Sequence, residues 1–425
     1  MRLIYSLAWW LALPLVLLRL WVRGRKEPGY RQHIAERLGC YANTSLARDA
    51  KVLWVHAVSV GETRAAQPLV EALLTDFPEH VVLLTHMTPT GRATGRELFA
   101  AQPRVVQAYL PYDTNFMTSR FLKRFHPCLC VLMETEVWPN LMQQCRRHGV
   151  PVALANARLS ERSLRKALRF PSLFVEAAKA MTLVAAQTES DAQRIRQLGA
   201  TNVHVTGSIK FDIVPPESML MRGAILRERF GTRPVLVCAN TRDGEEAMLL
   251  DAWTELQVPN VLLVLVPRHP QRFNEVAALV RSRGLSLMRR SESGDANVPS
   301  DVQIFLGDSM GEMFAYYAAA DLACVCGNLL PLGGHNLIEA CAVGKPVLVG
   351  PHTFNFADAV DNAIASGAAL RVADAPAMMR EASRILCDAQ LRAEMGDNAQ
   401  RFARQHGGAT ARTMALLQPI VALSN

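Results

Sequence analysis

The chain predicts an α/β protein of two domains in tandem, and three features of its pattern carry that prediction. It has 425 residues and 50% hydrophobic content, enough to bury two cores of ordinary size. Short apolar runs alternate with longer stretches of helical period, as in a parallel sheet wound with helices. The alternation breaks once, at the stiff connector Val214, Pro215 and Pro216, and then resumes.

The elements follow in chain order. Leu3 to Leu18 reads LIYSLAWWLALPLVLL without a charge, and Arg19, Arg23, Arg25 and Lys26 come after it. A secretory signal places its basic residues first and ends at a small-residue cleavage site, so this run reads as a retained membrane anchor over 1–23. It is slightly short of the roughly 20 residues of a full span. Arg19 can snorkel and extend it to Val22, which leaves spanning and monotopic insertion both open. The positive-inside rule then places the rest of the chain on the cytoplasmic side. A buried N-terminal helix is the plainer alternative.

A first α/β domain is expected over 24–212. VLWV leads to a helix from Glu62, VVLL to a helix after Thr90, and CLCVLM to a helix after Pro139; VALAN, TLVAAQ and GSIKFD complete the series. A second domain over 213–425 opens with a helical stretch to Phe230 and continues through VLVCAN, VLLVLV, DLACVC and VLVG. Ligands of open α/β sheets bind at the carboxyl ends of the strands, and the polar motifs of both halves fall there.

Composition narrows the partners. Charged residues are 20% of the chain, with no low-complexity tract, which excludes extensive disorder. A net charge of +8 favours an acidic partner: nucleic acid, an anionic membrane or a phosphorylated small molecule. The 9 cysteines are scattered, unlike a secreted disulfide framework. Cys128 with Cys130, and Cys324 with Cys326, read as strand packing, since zinc sites carry His or C-x-x-C company.

Several motifs carry candidate chemistry. WVHAVSVGET places Glu62 in the first turn of a helix, where the macrodipole is expected to lower its pKa and keep a base ionised; taken alone, the motif also fits a plain helix start. LMETEVWPN sets Glu134 and Glu136 after an apolar strand, pointing one way if the strand continues. THMTPTGRATG supplies Thr88, Thr90 and Gly91 in a loop suited to a polar ligand. Arg158, Arg162, Arg165 and Arg169 recur at helical spacing as one basic stripe, a solvated face or a surface for phosphates and membrane. In the second half, Arg268 and His269 end a strand, GDSMGEM leads through Asp308 to a helix, and Gly333, Gly334 and His335 precede Asn336 and Glu339 at another helix start. All three suit anion capture at a strand-to-helix crossing. No G-x-x-x-x-G-K-[ST] run and no D-x-D pair is present, which disfavours ATP hydrolysis and a metal-dependent sugar transfer.

Together HAVSVGET, MTPTGR, LPYDTN, METEVWPN, NARLSERS, AAQTESD, TGSIKFD, VPRHPQRF, GDSMGEM, GGHNLIEA and GPHTFNF, behind RLWVRGRK, resemble the 3-deoxy-D-manno-octulosonic acid (Kdo) transferase family of lipid A and lipopolysaccharide biosynthesis. The resemblance implies an α/β GT-B architecture, two Rossmann-like domains facing a cleft, with an N-terminal hydrophobic membrane anchor. It implies metal-independent, inverting transfer of Kdo from CMP-Kdo to a lipid A precursor (lipid IVA) at the inner membrane, in contact with its lipids, with no cofactor and no nucleic acid. Glu62 matches the family's general base; Glu136 and Lys210 match positions that support the transition state. Arg268, His269, Met310, Gly311, Glu312, Asn336, Leu337, Ile338 and Glu339 match the CMP-binding loops. Thr88, Thr90, Gly91, Arg158, Arg162, Gly333, Gly334 and His335 are further expected contacts to acceptor or donor. The chain departs from the family at CVCGNLLPLGGHN and ANTRDGEE. Two other readings fit the same residues: another GT-B sugar-nucleotide transferase or epimerase, and a noncatalytic membrane protein binding anionic lipid.

Overall fold

The computed structural model describes residues 1–25, 27–41, 46–47 and 50–423, so the predicted basic residue Lys26 lies outside the described residues. The chain divides into two compact units, 1–212 with 407–425, and 213–406.

The first unit is built on seven strands: β1 (Lys51–His56), β2 (His80–His86), β3 (Val105–Tyr109), β4 (Pro127–Met133), β5 (Val152–Ala157), β6 (Leu183–Ala186) and β7 (Val203–Val205). Their spatial order is β3-β2-β1-β4-β5-β6-β7, with every neighbouring pair parallel. Alternate residues of β1 serve different cores: Val52 and Trp54 pack with Phe121 and Leu132, while Leu53 and Val55 pack with Leu69 and Val131. A sheet buried on both faces explains why its strands read as continuous apolar runs. The order reverses between β1 and β4, which fixes the ligand crevice at their carboxyl ends.

The second unit repeats the plan with β8 (Val235–Thr241), β9 (Leu262–Pro267), β10 (Leu287–Arg289), β11 (Ile304–Leu306), β12 (Leu322–Val325), β13 (Val347–Val349) and β14 (Ala369–Arg371). The order is β10-β11-β9-β8-β12-β13-β14, and the reversal lies between β8 and β12. Cys238, Cys324 and Cys326 are buried together in its core among Leu322, Met378 and Ile385.

The expected boundary at 213–425 is corrected at its far end. The helix Ala409–Leu423 belongs to the first unit, where Met414, Leu417 and Val421 join the same core as Leu69 and Ile209. It packs against the helix Val60–Asp76 and the 3-10 turn Ile209–Phe211. Asp212 accepts hydrogen bonds from the amides of Ala409 at 3.2 Å and of Thr410 at the helix start, and Arg412 Nε donates to the Thr206 carbonyl at 2.8 Å. An apolar face at helical spacing announces a helix but does not say which core it completes.

Candidate active site

In the first unit Glu62, Glu134, Glu136 and Lys210 are brought to the carboxyl ends of β1, β4 and β5. Ser59 is the N-cap of the Val60–Asp76 helix, and Glu62 reaches back over it in the manner of a capping box. Its carboxylate accepts from Val58 N at 2.9 Å and from Ser59 Oγ at 3.1 Å.

The expected lowering of the Glu62 pKa is overturned. Burial, with help from the charges of Glu136 and Glu134, raises it from 4.5 to about 7 against the two hydrogen bonds. Removing a carboxylate from water outweighs the modest stabilisation at a helix start. A base with a pKa near neutrality is well matched to proton transfer at physiological pH.

Glu134 and Glu136 do not point one way as a pair, because β4 ends at Met133 and Glu134 adopts a φ of 59°. Glu134 is paired with Lys210 Nζ at 2.8 Å. Glu136 instead accepts from Trp138 Nε1 at 2.6 Å, and burial, together with Glu134, raises its pKa despite that bond. Lys210 rides on the 3-10 turn after β7, fixed where Ile209 N donates to Asn156 Oδ1 at 3.1 Å. Asn156 is itself left-handed at φ 54°, a conformation Asn tolerates better than most residues. Trp138 and Asn156 were not among the sequence candidates; the Trp-Pro step after METEV and the asparagine ending VALAN were their only signals.

Around this cluster two expectations change. The segment holding Thr88, Thr90 and Gly91 is a helix start, not a loop: Pro89–Leu98 is helical, and Thr88 caps it by accepting from Gly91 N at 3.1 Å. Gly91 is required by close approach, since a Cβ there would lie 3.1 Å from the Val58 carbonyl oxygen. Thr90 is exposed, bonded to Thr88 at 3.5 Å. The basic stripe is not on one helix. Arg158 precedes the helix Glu161–Ala167, which carries Arg162 and Arg165, and Arg169 follows it, because Ser160 caps its start and Pro171 opens a new helix. All four side chains are exposed.

In the second unit a basic cluster forms at the ends of β8, β9 and β12. Burial, then the charges of Arg268, Arg242 and His269, lower the His335 pKa to about 4, which keeps the imidazole neutral. Burial and the arginines 242, 268 and 272 lower that of His269 as well. Among the described residues the buried His335 Nε2 has no hydrogen-bond partner. Gly327 lets that ring in, for a Cβ at its φ of 79° would sit 2.4 Å from His335 Cδ2.

Buried Glu245 organises these loops. Its carboxylate accepts from Arg242 N, Gly327 N, Asn328 N and Leu329 N at 2.8–2.9 Å, tying the turn after β8 to the loop after β12. Asn328 links that loop to β13 by accepting from Gly350 N at 2.8 Å. The segments CVCGNLLPLGGHN and ANTRDGEE are thus joined to each other.

The GGHN motif does not run directly into a helix. Gly333 and Gly334 have φ of 95° and 80°, and the helix spans only Ile338–Ala342, too short for much dipole. A helix this short does not give the helix-end anion site that the motif suggested. Asn336 Oδ1 accepts from Ile338 N at 3.1 Å, the side chains of Leu337 and Ile338 are core, and Glu339 lies in the first turn. In the other loop Met310 is exposed and Gly311 has a φ of 79°. The Glu312 carboxylate is engaged within the unit, with Arg222 at 2.8 Å, Arg290 at 3.2 Å and the Ser309 hydroxyl, so it shapes the loop.

Comparison with known proteins converges on one family. Residues 32–213 match the family model described as 3-Deoxy-D-manno-octulosonic-acid transferase (kdotransferase), and 248–402 match glycosyl transferases group 1. The chain is 47% identical over 425 residues to a 3-deoxy-D-manno-octulosonic acid transferase of Bordetella pertussis, covering 98% of each. It is 36% identical over 412 residues to that of Haemophilus influenzae, covering 96% of this chain and 95% of the other. UDP-GlcNAc 2-epimerase from Neisseria meningitidis shares the fold, with TM-score 0.58 and 15% identity over 88% of this chain and 100% of that one. The fold is that of the GT-B proteins, and the chain belongs to the 3-deoxy-D-manno-octulosonic acid (Kdo) transferase family, glycosyltransferases of lipopolysaccharide biosynthesis.

Proposed function

We propose that the chain transfers Kdo from CMP-Kdo to a lipid A precursor of the lipid IVA type, with inversion and without a metal ion, as a membrane-anchored enzyme. The observation that carries the reading is Glu62, a half-buried carboxylate with a pKa near 7 beside the Glu134–Lys210 pair. As the acceptor hydroxyl oxygen attacks the anomeric carbon, its proton passes to Glu62. The bond from that carbon to the CMP phosphate oxygen breaks, and CMP leaves with the electron pair. A single displacement of this kind inverts the centre.

Lys210, held by Glu134, and Glu136, held by Trp138, support charge in the transition state. Arg268, His269, His335 and the adjacent Arg242 are the donor unit's reserve of cationic and hydrogen-bonding groups for the CMP phosphate and the Kdo carboxylate, with Gly333, Gly334 and the backbone of Asn336–Glu339 beside them. Met310, Gly311 and Glu312 shape the other side of the nucleotide site. Arg158 and Arg162, exposed on the acceptor unit, meet the phosphates of the lipid, while Thr88, Thr90 and Gly91 fix the wall next to Glu62.

The test is transfer to a tetraacylated lipid A precursor with CMP-Kdo generated in situ, products resolved by mass. Kdo-bearing product from the wild type, lost in Glu62→Ala while CMP still protects the protein thermally, supports the reading. Absence of transfer by the wild type, or a fully active Glu62→Ala, refutes it.

A further inference from the structure

The Arg2–Arg23 helix carries two stripes that run its whole length. On one, Tyr5 donates to Asp113 at 2.9 Å and Ser6 to Asn140 at 3.1 Å. Trp9 stacks on Tyr112 with centroids 5.7 Å apart, Leu13 and Leu17 pack against Tyr112 and Met117, and Leu20 is buried with them. Just beyond, Arg31 binds the Trp21 carbonyl at 2.9 Å. These positions recur at three and four residues, so they form a continuous helical face, and all their partners lie in the globular part of the first unit.

The opposite stripe has no cover. Leu3, Leu7, Leu11, Leu15 and Leu18 are 85%, 60%, 71%, 69% and 57% exposed, again in steps of four and three. The helix contains no acidic residue. Trp10 and Trp21, about half exposed, have the amphipathic rings that settle at a membrane–water interface, and Arg19, Arg23 and Arg25 cluster at the C-terminal end.

Twenty-two residues make a helix of about 33 Å, long enough to cross a hydrocarbon core of roughly 30 Å. Crossing would draw Tyr5 and Ser6 away from Asp113 and Asn140 and carry the docked stripe into lipid. We infer that the helix instead lies in the plane of one leaflet, docked along its length on the first unit. Its leucine stripe enters the acyl chains, and its terminal arginines meet anionic headgroups. A bilayer surface is the occupant that both the apolar stripe and the basic end fit; a second copy of the helix would supply no negative charge. The inference rests on the reading of this helix as the membrane anchor.

Three measurements on the full chain decide it. Ser6→Cys/Asn140→Cys is oxidised in isolated membranes and the intramolecular crosslink read by mass. An N-terminal tag is probed with protease in intact and permeabilised spheroplasts. Flotation on phosphatidylethanolamine–phosphatidylglycerol vesicles compares wild type with Leu7→Glu/Leu11→Glu/Leu15→Glu. A crosslink in membranes, a tag cleaved only after permeabilisation, and a vesicle-bound fraction lowered by at least about tenfold in the variant, with CMP protection unchanged, are the expected results. A wild type that floats but shows a tag cleaved in intact spheroplasts and no crosslink overturns the in-plane arrangement alone. A wild type that does not float, or that self-associates through the leucine stripe, overturns the anchor reading beneath it.

Discussion

Replacing Glu62 with Gln should stabilise the protein at alkaline pH while disabling it. The carboxyl titrates at 4.5 in an exposed chain and at about 7 in the folded one, chiefly because it is buried. A group whose pKa is raised by folding contributes stability that is complete below its unfolded value and lost as pH rises through its folded value. One pH unit corresponds to roughly 1.4 kcal/mol, so above pH 7 ionised Glu62 costs the native state about 3 kcal/mol, reduced to about 2 kcal/mol by solvent reaching the partly exposed group. Gln keeps the shape and can accept from Val58 N, and Ser59 Oγ can turn to accept from the new amide. Denaturant unfolding at pH 5 and pH 8 is the assay. The variant should match the wild type within about 0.5 kcal/mol at pH 5 and exceed it by about 2 kcal/mol at pH 8. Parallel stability profiles, or a variant weaker at pH 8, would refute the placement of Glu62 as a buried carboxylate with a raised pKa. In the transfer assay, kcat/KM of the wild type should climb through a midpoint near 7, while the variant falls by about 10²–10⁴-fold and loses that climb.

Lys210→Ala leaves Glu134 without its cation, so kcat should fall about 10²–10³-fold and the midpoint of the remaining pH profile should move upward; a downward move would contradict the ion pair. Trp138→Phe removes the 2.6 Å hydrogen bond to Glu136, and kcat should drop more than KM rises, as steady-state kinetics will show. Arg268→Ala, alone and with Arg242→Ala, should weaken CMP binding by about 10–100-fold for each charge-assisted hydrogen bond lost, read as loss of thermal protection by CMP. Asp212→Ala uncaps the helix Ala409–Leu423 and should lower first-unit stability by about 1–2 kcal/mol, measured by denaturant unfolding, with donor binding intact.

The sheets were legible where both faces are buried, because VLWV, CLCVLM and VLLVLV carry no alternation to confuse. The edges were not: β7, β10 and β14 have three residues each, too few to show a period. The chemistry of METEVWPN was visible, but its geometry was not. A left-handed Glu134 and a lysine brought from 76 positions further on turn an apparent pair of like carboxylates into an ion pair and a separate, tryptophan-bound acid. Glu62 was legible as a residue and misjudged in its titration, since burial depends on what packs around a helix start. ANTRDGEE and CVCGNLLPL read as two unrelated departures, and only the fold shows that Glu245 joins them.

The return of Ala409–Leu423 to the first unit also sets an order of events during synthesis. The helix bearing Glu62 and the turn bearing Lys210 emerge from the ribosome early, yet the helix that braces both follows the whole of residues 213–406. At roughly 5–20 residues per second, about 10–40 s of translation separates them. Through that interval the first unit presents the apolar surface around Leu69 and Ile209 uncovered, and any ribosome that stops early releases a chain whose Glu62-bearing helix has no brace.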